Sequence, residues 1–220
     1  MRYLHKQFTL FAIVVGSSIV ISGGVQAQTI TDLFNTGVDA GKVKVLPGNT
    51  TTTDLHYTSA SNVFVEQSPN GSWAGSADSN YIANDGGDGS SVNGGNYSLA
   101  YSTTFTLPLN TNLSSVSIAG QWSTDNSGSN ILINGTPTGL TSPGFNSFTN
   151  FILPAGSYQT GTNTLTFNWA NAGGPGGLNV RFTTMTYSTV ATATPEPGVT
   201  ALLAGLGVSL AGIARRRRRR

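Results

Sequence analysis

The chain has 220 residues, 9% of them charged, no cysteine and a formal net charge of +2, a length that allows one domain of ordinary size plus sorting segments. The charge is segregated: Arg2, Lys6 and the run Arg215 to Arg220 hold most of the basic residues, while Gln28 to Thr194 sets Lys42, Lys44 and Arg181 against a larger number of acids. That acidic middle excludes nucleic acid as a partner, because phosphate contacts need clustered cations, and a chain of this size can bury a core outside the cell without disulfides.

At the amino terminus Arg2 and Lys6 form a positive n-region, Phe8 to Ile21 a mostly apolar stretch, and Val25-Gln26-Ala27 the small or modest side chains that signal peptidase reads. The apolar stretch is shorter than the roughly 20 residues of a spanning helix. Residues 1–27 therefore read as a signal helix removed after Ala27, which implies export.

The middle is rich in Thr, Ser, Asn and Gly, a composition that suits strands and turns better than helices. Tyr97, Leu99, Tyr101, Phe105 and Leu107 recur at period two, which predicts a long strand with one buried face. Val116, Ile118 and Trp122 repeat the pattern, as do Leu165, Phe167 and Trp169, and then Leu178, Val180 and Phe182. Turn signals separate them at Pro108, Asp125 to Gly128, Asn134-Gly135, Pro143-Gly144, Pro154 to Gly156 and Gly173 to Gly177. Asn134-Gly135 after Ile131-Leu132-Ile133 is the strongest local hairpin signal, since both residues tolerate positive φ. Strands joined by short turns predict an all-β, antiparallel sandwich over residues 28–188. Residues 28–72 are assigned to the same domain because the span is too small to fold separately.

The stretch "DNSGSNILINGTPTG", followed by "PAGSYQTGTNTLTFNWANAGGPGGLNVRF", resembles galactose-binding-like jelly-roll domains. The order and spacing of a strand ending in Asn-Gly and a later G-x-N-x-L-x-F strand carry that resemblance. It implies a jelly roll and raises carbohydrate binding as a function, although a fold does not by itself assign one.

Little in this stretch suits catalysis. His56, in "DLHYTSA", is the one histidine of the exported part after Ala27, so it has no second to form a usual zinc pair, and no Gly-x-Ser-x-Gly elbow accompanies it. Glu66 is the only glutamate before the tail, whereas a glycosidase needs two carboxylates at a set separation. The chain is therefore read as noncatalytic and without a cofactor. Asp85 and Asp88, within Asn84 to Asn96, offer oxygens suited to calcium but lack the twelve-residue loop pattern, so a surface loop without metal is the expectation. For a sugar, which needs aromatic faces and polar partners, the candidates are Trp73, Trp122 and Trp169 with Asp125, Asn126, Asn171 and Arg181. Trp122 and Trp169 continue the apolar faces of their strands and so also read as core.

The chain closes on a polar linker at residues 189–194, then Pro195-Glu196-Pro197, an uncharged stretch from Val199 to Ala214, and six arginines. Residues 199–214 would span about 24 Å as a helix, close to a hydrocarbon core once the arginines snorkel. Those arginines would stay cytoplasmic with the domain on the far side. This tail resembles the PEP-CTERM sorting segment, here residues 195–220. The resemblance implies recognition of Pro195, Glu196 and Pro197 by exosortase in a Gram-negative bacterium, with an intermediate held in the inner membrane by a transmembrane helix. Delivery to the cell surface or extracellular matrix would follow. The expected role is structural or adhesive, the alternative a lectin-like module for an exopolysaccharide, and a glycan-active enzyme ranks third.

Overall fold

The computed structural model describes residues 26–46, 52–67, 71–84 and 95–190. The body of the signal peptide, Asp85 and Asp88, and the tail with Pro195, Glu196 and Pro197 lie outside the described residues.

The period-two pattern becomes strands with one buried face over much of their length, while Trp122 to Asp125 of one and Gly177 to Val180 of its neighbour are buried on both faces. In chain order these are β1 (Ala27–Thr29), β2 (Thr52–Thr53), β3 (Phe64–Val65), β4 (Ile82–Ala83), β5 (Asn96–Leu107) and β6 (Thr111–Asp125). They are followed by β7 (Ser127–Ile133), β8 (Thr136–Pro137), β9 (Thr149–Ile152), β10 (Gly161–Ala172) and β11 (Gly177–Thr189). Tyr101, Phe105 and Leu107 on β5 are buried, as are Val116, Ile118 and Trp122 on β6, Leu165, Phe167 and Trp169 on β10, and Leu178, Val180 and Phe182 on β11. Tyr97 and Leu99, at the start of β5, are only partly buried against the core.

Every pairing between these strands is antiparallel. One sheet has seven strands in the order β2-β3-β4-β11-β6-β9, with β1 also on β11; the other has four in the order β5-β10-β7-β8. The described chain is thus all-β, as the composition predicts. Phe167 of the smaller sheet joins the two faces, with its ring centroid 5.8 Å from Trp122, 6.2 Å from Phe151 and 6.5 Å from Phe182 of the larger sheet. Such aromatic pairs add about 0.5–1.5 kcal/mol each beyond the area they bury. Ile30, Leu33, Tyr57, Val63 and Val65 enter the same core.

The predicted hairpin forms. Asn134 at φ 49° and Gly135 at φ 81° turn β7 into β8, with Ile133 paired to Thr136. Positive φ at both positions matches the twist of the flanking strands.

Register fixes two ends of the sandwich. At one, Gly177 of β11 pairs with Asp125 of β6, and the Ala172 amide closing β10 donates to Asn126 Oδ1. At the other, Thr189 pairs with Thr111, Gly161 with Leu107, and Ala27 with Ser188. Thr189, expected to open the linker, is instead the last residue of β11, because the Val190 amide donates to Asn110 O at 2.7 Å and extends the pairing past it.

Candidate functional site

The Asp125 end gathers several of the residues singled out from sequence, though not in the roles expected of them. Asp125 closes β6 where the chain leaves the larger sheet for β7 of the smaller one. Its Oδ2 accepts a hydrogen bond from Trp73 Nε1 at 2.8 Å, and the residue is 5% exposed. Burial pushes the Asp125 carboxyl up from its ordinary value, and the Trp73 bond, which favours the charged form, works against that rise. The Trp73 ring lies 4.4 Å from the Tyr81 ring, whose hydroxyl donates to Ser123 Oγ at 2.7 Å. Burial holds the Tyr81 phenol up at about 12.

None of the three tryptophans offers a face to solvent: Trp73 is 7% exposed, Trp122 0% and Trp169 1%. The sugar-stacking expectation for these rings is therefore corrected. The strand alternation that places Trp122 and Trp169 turns them inward, and Trp73 is drawn in by the Asp125 carboxylate. Gly128 fits against Trp122 so closely that an added Cβ would collide with the indole. Trp169 meets Tyr97 and Tyr101 edge-on, at 5.8 Å and 5.5 Å.

The remaining candidates diverge. Asn126 is a turn brace: its amide donates to Ala170 O at 2.8 Å while its side-chain oxygen accepts from Ala172. Asn171 is buried, donates Nδ2 to Gly174 O at 3.0 Å, and supports the glycine turn between β10 and β11. Arg181 is spent on Asp78, with Nε 3.3 Å from Oδ1, and lies 6.0 Å above the Phe148 ring. His56 stacks flat on Phe34 with centroids 3.7 Å apart. Asp54 accepts from the amides of Gly37, His56 and Tyr57, and burial pushes its carboxyl up despite those bonds. Glu66 is fully buried.

One depression of about 380 Å³ opens to solvent at this end beside Asn96, Tyr97 and Asn171, and a shallow one of about 330 Å³, with an aromatic ring beside its amides, is lined by Asn126, Pro143, Gly144, Phe145, Asn146 and Ser147. The floor of the latter is held from below: the Ala74 amide donates to Phe145 O at 2.7 Å, Ser123 Oγ to Gly144 O at 3.2 Å, and Gly128 and Ser142 exchange amide bonds at 2.9 Å. Phe145 and Phe148 are half-buried, and Asn146 and Ser147 exposed. The lining carries amides, a hydroxyl and one aromatic ring but no ionisable side chain. It can therefore hydrogen-bond a neutral polar ligand and support an apolar face, without acid–base groups of its own. Sequence reasoning marked Pro143-Gly144 as a turn and passed over the phenylalanines after it. The available signal was two aromatic residues in the otherwise polar run "PGFNSFTN", where no strand alternation required them.

Among the described residues no group of three His, Cys, Asp or Glu could hold a metal ion, and no helix is long and apolar enough to cross a membrane.

No family model matches the chain, and no curated protein does. Among solved structures it is similar to a GH26-CBM35 β-(1,4)-mannanase of Podospora anserina at 12% identity and a TM-score of 0.31, over 78% of this chain and 29% of that one. It is also similar to a cycloisomaltooligosaccharide glucanotransferase of a Paenibacillus species, complexed with cycloisomaltoheptaose, at 11% identity and a TM-score of 0.28, over 76% of this chain and 18% of that one. The chain thus spans less than a third of either protein.

Proposed function

We propose that this chain is an exported, noncatalytic protein of the cell surface or extracellular matrix with a structural or adhesive role, routed there by a signal peptide cut after Ala27 and by exosortase acting at Pro195-Glu196-Pro197. Two antiparallel sheets around one core support a jelly roll of the galactose-binding-like kind. The observation that carries the noncatalytic reading is where the reactive side chains go. Asp54 caps backbone amides, Asp125 holds Trp73, His56 stacks on Phe34 and Arg181 pairs with Asp78. Each serves the fold rather than an open cleft. Replacing Glu196 with Gln in a host that has exosortase tests the sorting step: the expected result is an unprocessed precursor retained in the membrane, and unchanged processing would overturn it.

The depression at Phe145 favours a second reading, a lectin-like module for an exopolysaccharide, with Asn126, Asn146 and Ser147 meeting hydroxyls beside the ring. A glycan array separates the two. Binding that is lost in Phe145→Ala and Asn146→Ala supports the module, whereas a folded domain that binds no glycan supports the structural role.

A further inference from the structure

We infer that the end of the sandwich where Leu109 and Val190 stand exposed is a bilayer-contacting surface with Leu109 as its apolar tip; this rests on the membrane-held intermediate proposed above. Leu109 projects from the turn between β5 and β6 at 89% exposure, and Val190, 59% exposed, is tied to that turn by its amide bond to Asn110 O. A large aliphatic side chain at a tight, otherwise polar turn does nothing for the core, which Leu107 two residues earlier already enters.

Topology says what such a tip would meet. Ala27 pairs with Ser188, so the chain enters β1 and leaves β11 at the same end of the sandwich. The apolar stretch Val199 to Ala214, which remains after the signal peptide is cut, therefore connects at this end and not at the Asp125 end. Residues 191–198 can reach at most about 28 Å even fully extended. Any bilayer that takes up residues 199–214 is thus held within that distance of Val190, which is tied to the Leu109 turn.

The surface is also fit for the contact. Residues 27–29, 108–112 and 187–190 carry no charge, so placing them against headgroups strips no ion of its water.

The chain has no cysteine, so single-cysteine labelling tests this cleanly. Full-length Asn110→Cys and Asn146→Cys proteins, labelled with an environment-sensitive fluorophore, would be placed in vesicles of phosphatidylethanolamine and phosphatidylglycerol with and without brominated acyl chains. The expected result is a blue-shifted emission at position 110 that brominated lipid quenches roughly twofold, and no response at position 146. Adding Leu109→Asp to the Asn110→Cys protein should abolish the quenching while the chain still floats with the vesicles. Floating chains with no quenching at 110 would overturn the contact and leave membrane holding intact. A blue shift without bromine quenching would assign the surface to a protein neighbour and also overturn it. Chains that fail to float would overturn the membrane-held reading itself, and the contact with it.

Discussion

The two ends of this sandwich are built on opposite terms. At the Asp125 end, crossing loops are tied by polar bonds, buried from Trp73 to Asp125 and from Tyr81 to Ser123, and nearer the surface between Asn126 and both Ala170 and Ala172 and between Ala74 and Phe145. At the Thr111 end β5 closes into β6 through a short turn whose exposed large apolar side chain is Leu109, with Val190 beside it, and the buried Asn163 ties the neighbouring loop to the Asn134-Gly135 turn. A loop-rich end needs internal polar partners because its backbone and side chains are buried without a strand ladder to satisfy them. An end made of paired strands has its backbone satisfied already, so its outward side chains are free to serve contact with something else.

Substitutions at the two ends should differ accordingly. The largest effect is expected from Trp73→Ala, which removes a buried indole and strands the Asp125 carboxylate; it should destabilise by about 3–5 kcal/mol in urea unfolding. Gly128→Ala comes next. Its new methyl has no room beside the rigid Trp122 indole, so a loss of about 1–3 kcal/mol is expected by the same measurement. A change within the error of the Leu109 variant below would show that this end yields more easily than its packing indicates.

Asp125→Asn probes the carboxylate itself. Burial raises the Asp125 carboxyl above the ordinary 3.8, so the folded state holds the proton more tightly than the unfolded chain. That contribution to stability is present at low pH and is lost as pH rises from about 3.8 through the folded value. Asp54, raised by burial as well, acts in the same direction. The variant should therefore show a shallower fall in stability over that window, measured by thermal unfolding at a series of pH values, with Asp54 supplying the remainder. An unchanged slope would assign the whole pH dependence to other groups. The smallest effect is expected from Leu109→Ser, which should change stability by less than about 0.5 kcal/mol, since the side chain packs on nothing in the sandwich.

How much of this was legible in the sequence divides along the same line. The long strands were readable because burial on one face imposes period two, and β5, β6, β10 and β11 each carry it. The Asn134-Gly135 turn was readable because few residue pairs accept its backbone angles. The short strands β2, β3, β4 and β9 were not, being two to four residues long and held by pairing rather than by pattern. At the candidate site the sequence identified Asp125 and Asn126 as a turn worth notice, but it could not show that Trp73 would be captured by Asp125, 52 positions away. That contact depends on tertiary placement alone. Phe145 and Phe148 were missed for the converse reason: a loop aromatic has no periodicity to announce it.

The most direct test of an exported sandwich with one end toward the membrane uses cells. Full-length Asn110→Cys and Asn146→Cys proteins would be expressed in a Gram-negative host without exosortase, where the precursor stays membrane-held, and exposed to a small maleimide that crosses the outer membrane but not the inner one. An exported and oriented domain predicts strong labelling at 146 and protection at 110 until detergent is added. Equal labelling at both positions would contradict the orientation, and labelling of either only after the inner membrane is opened would contradict export.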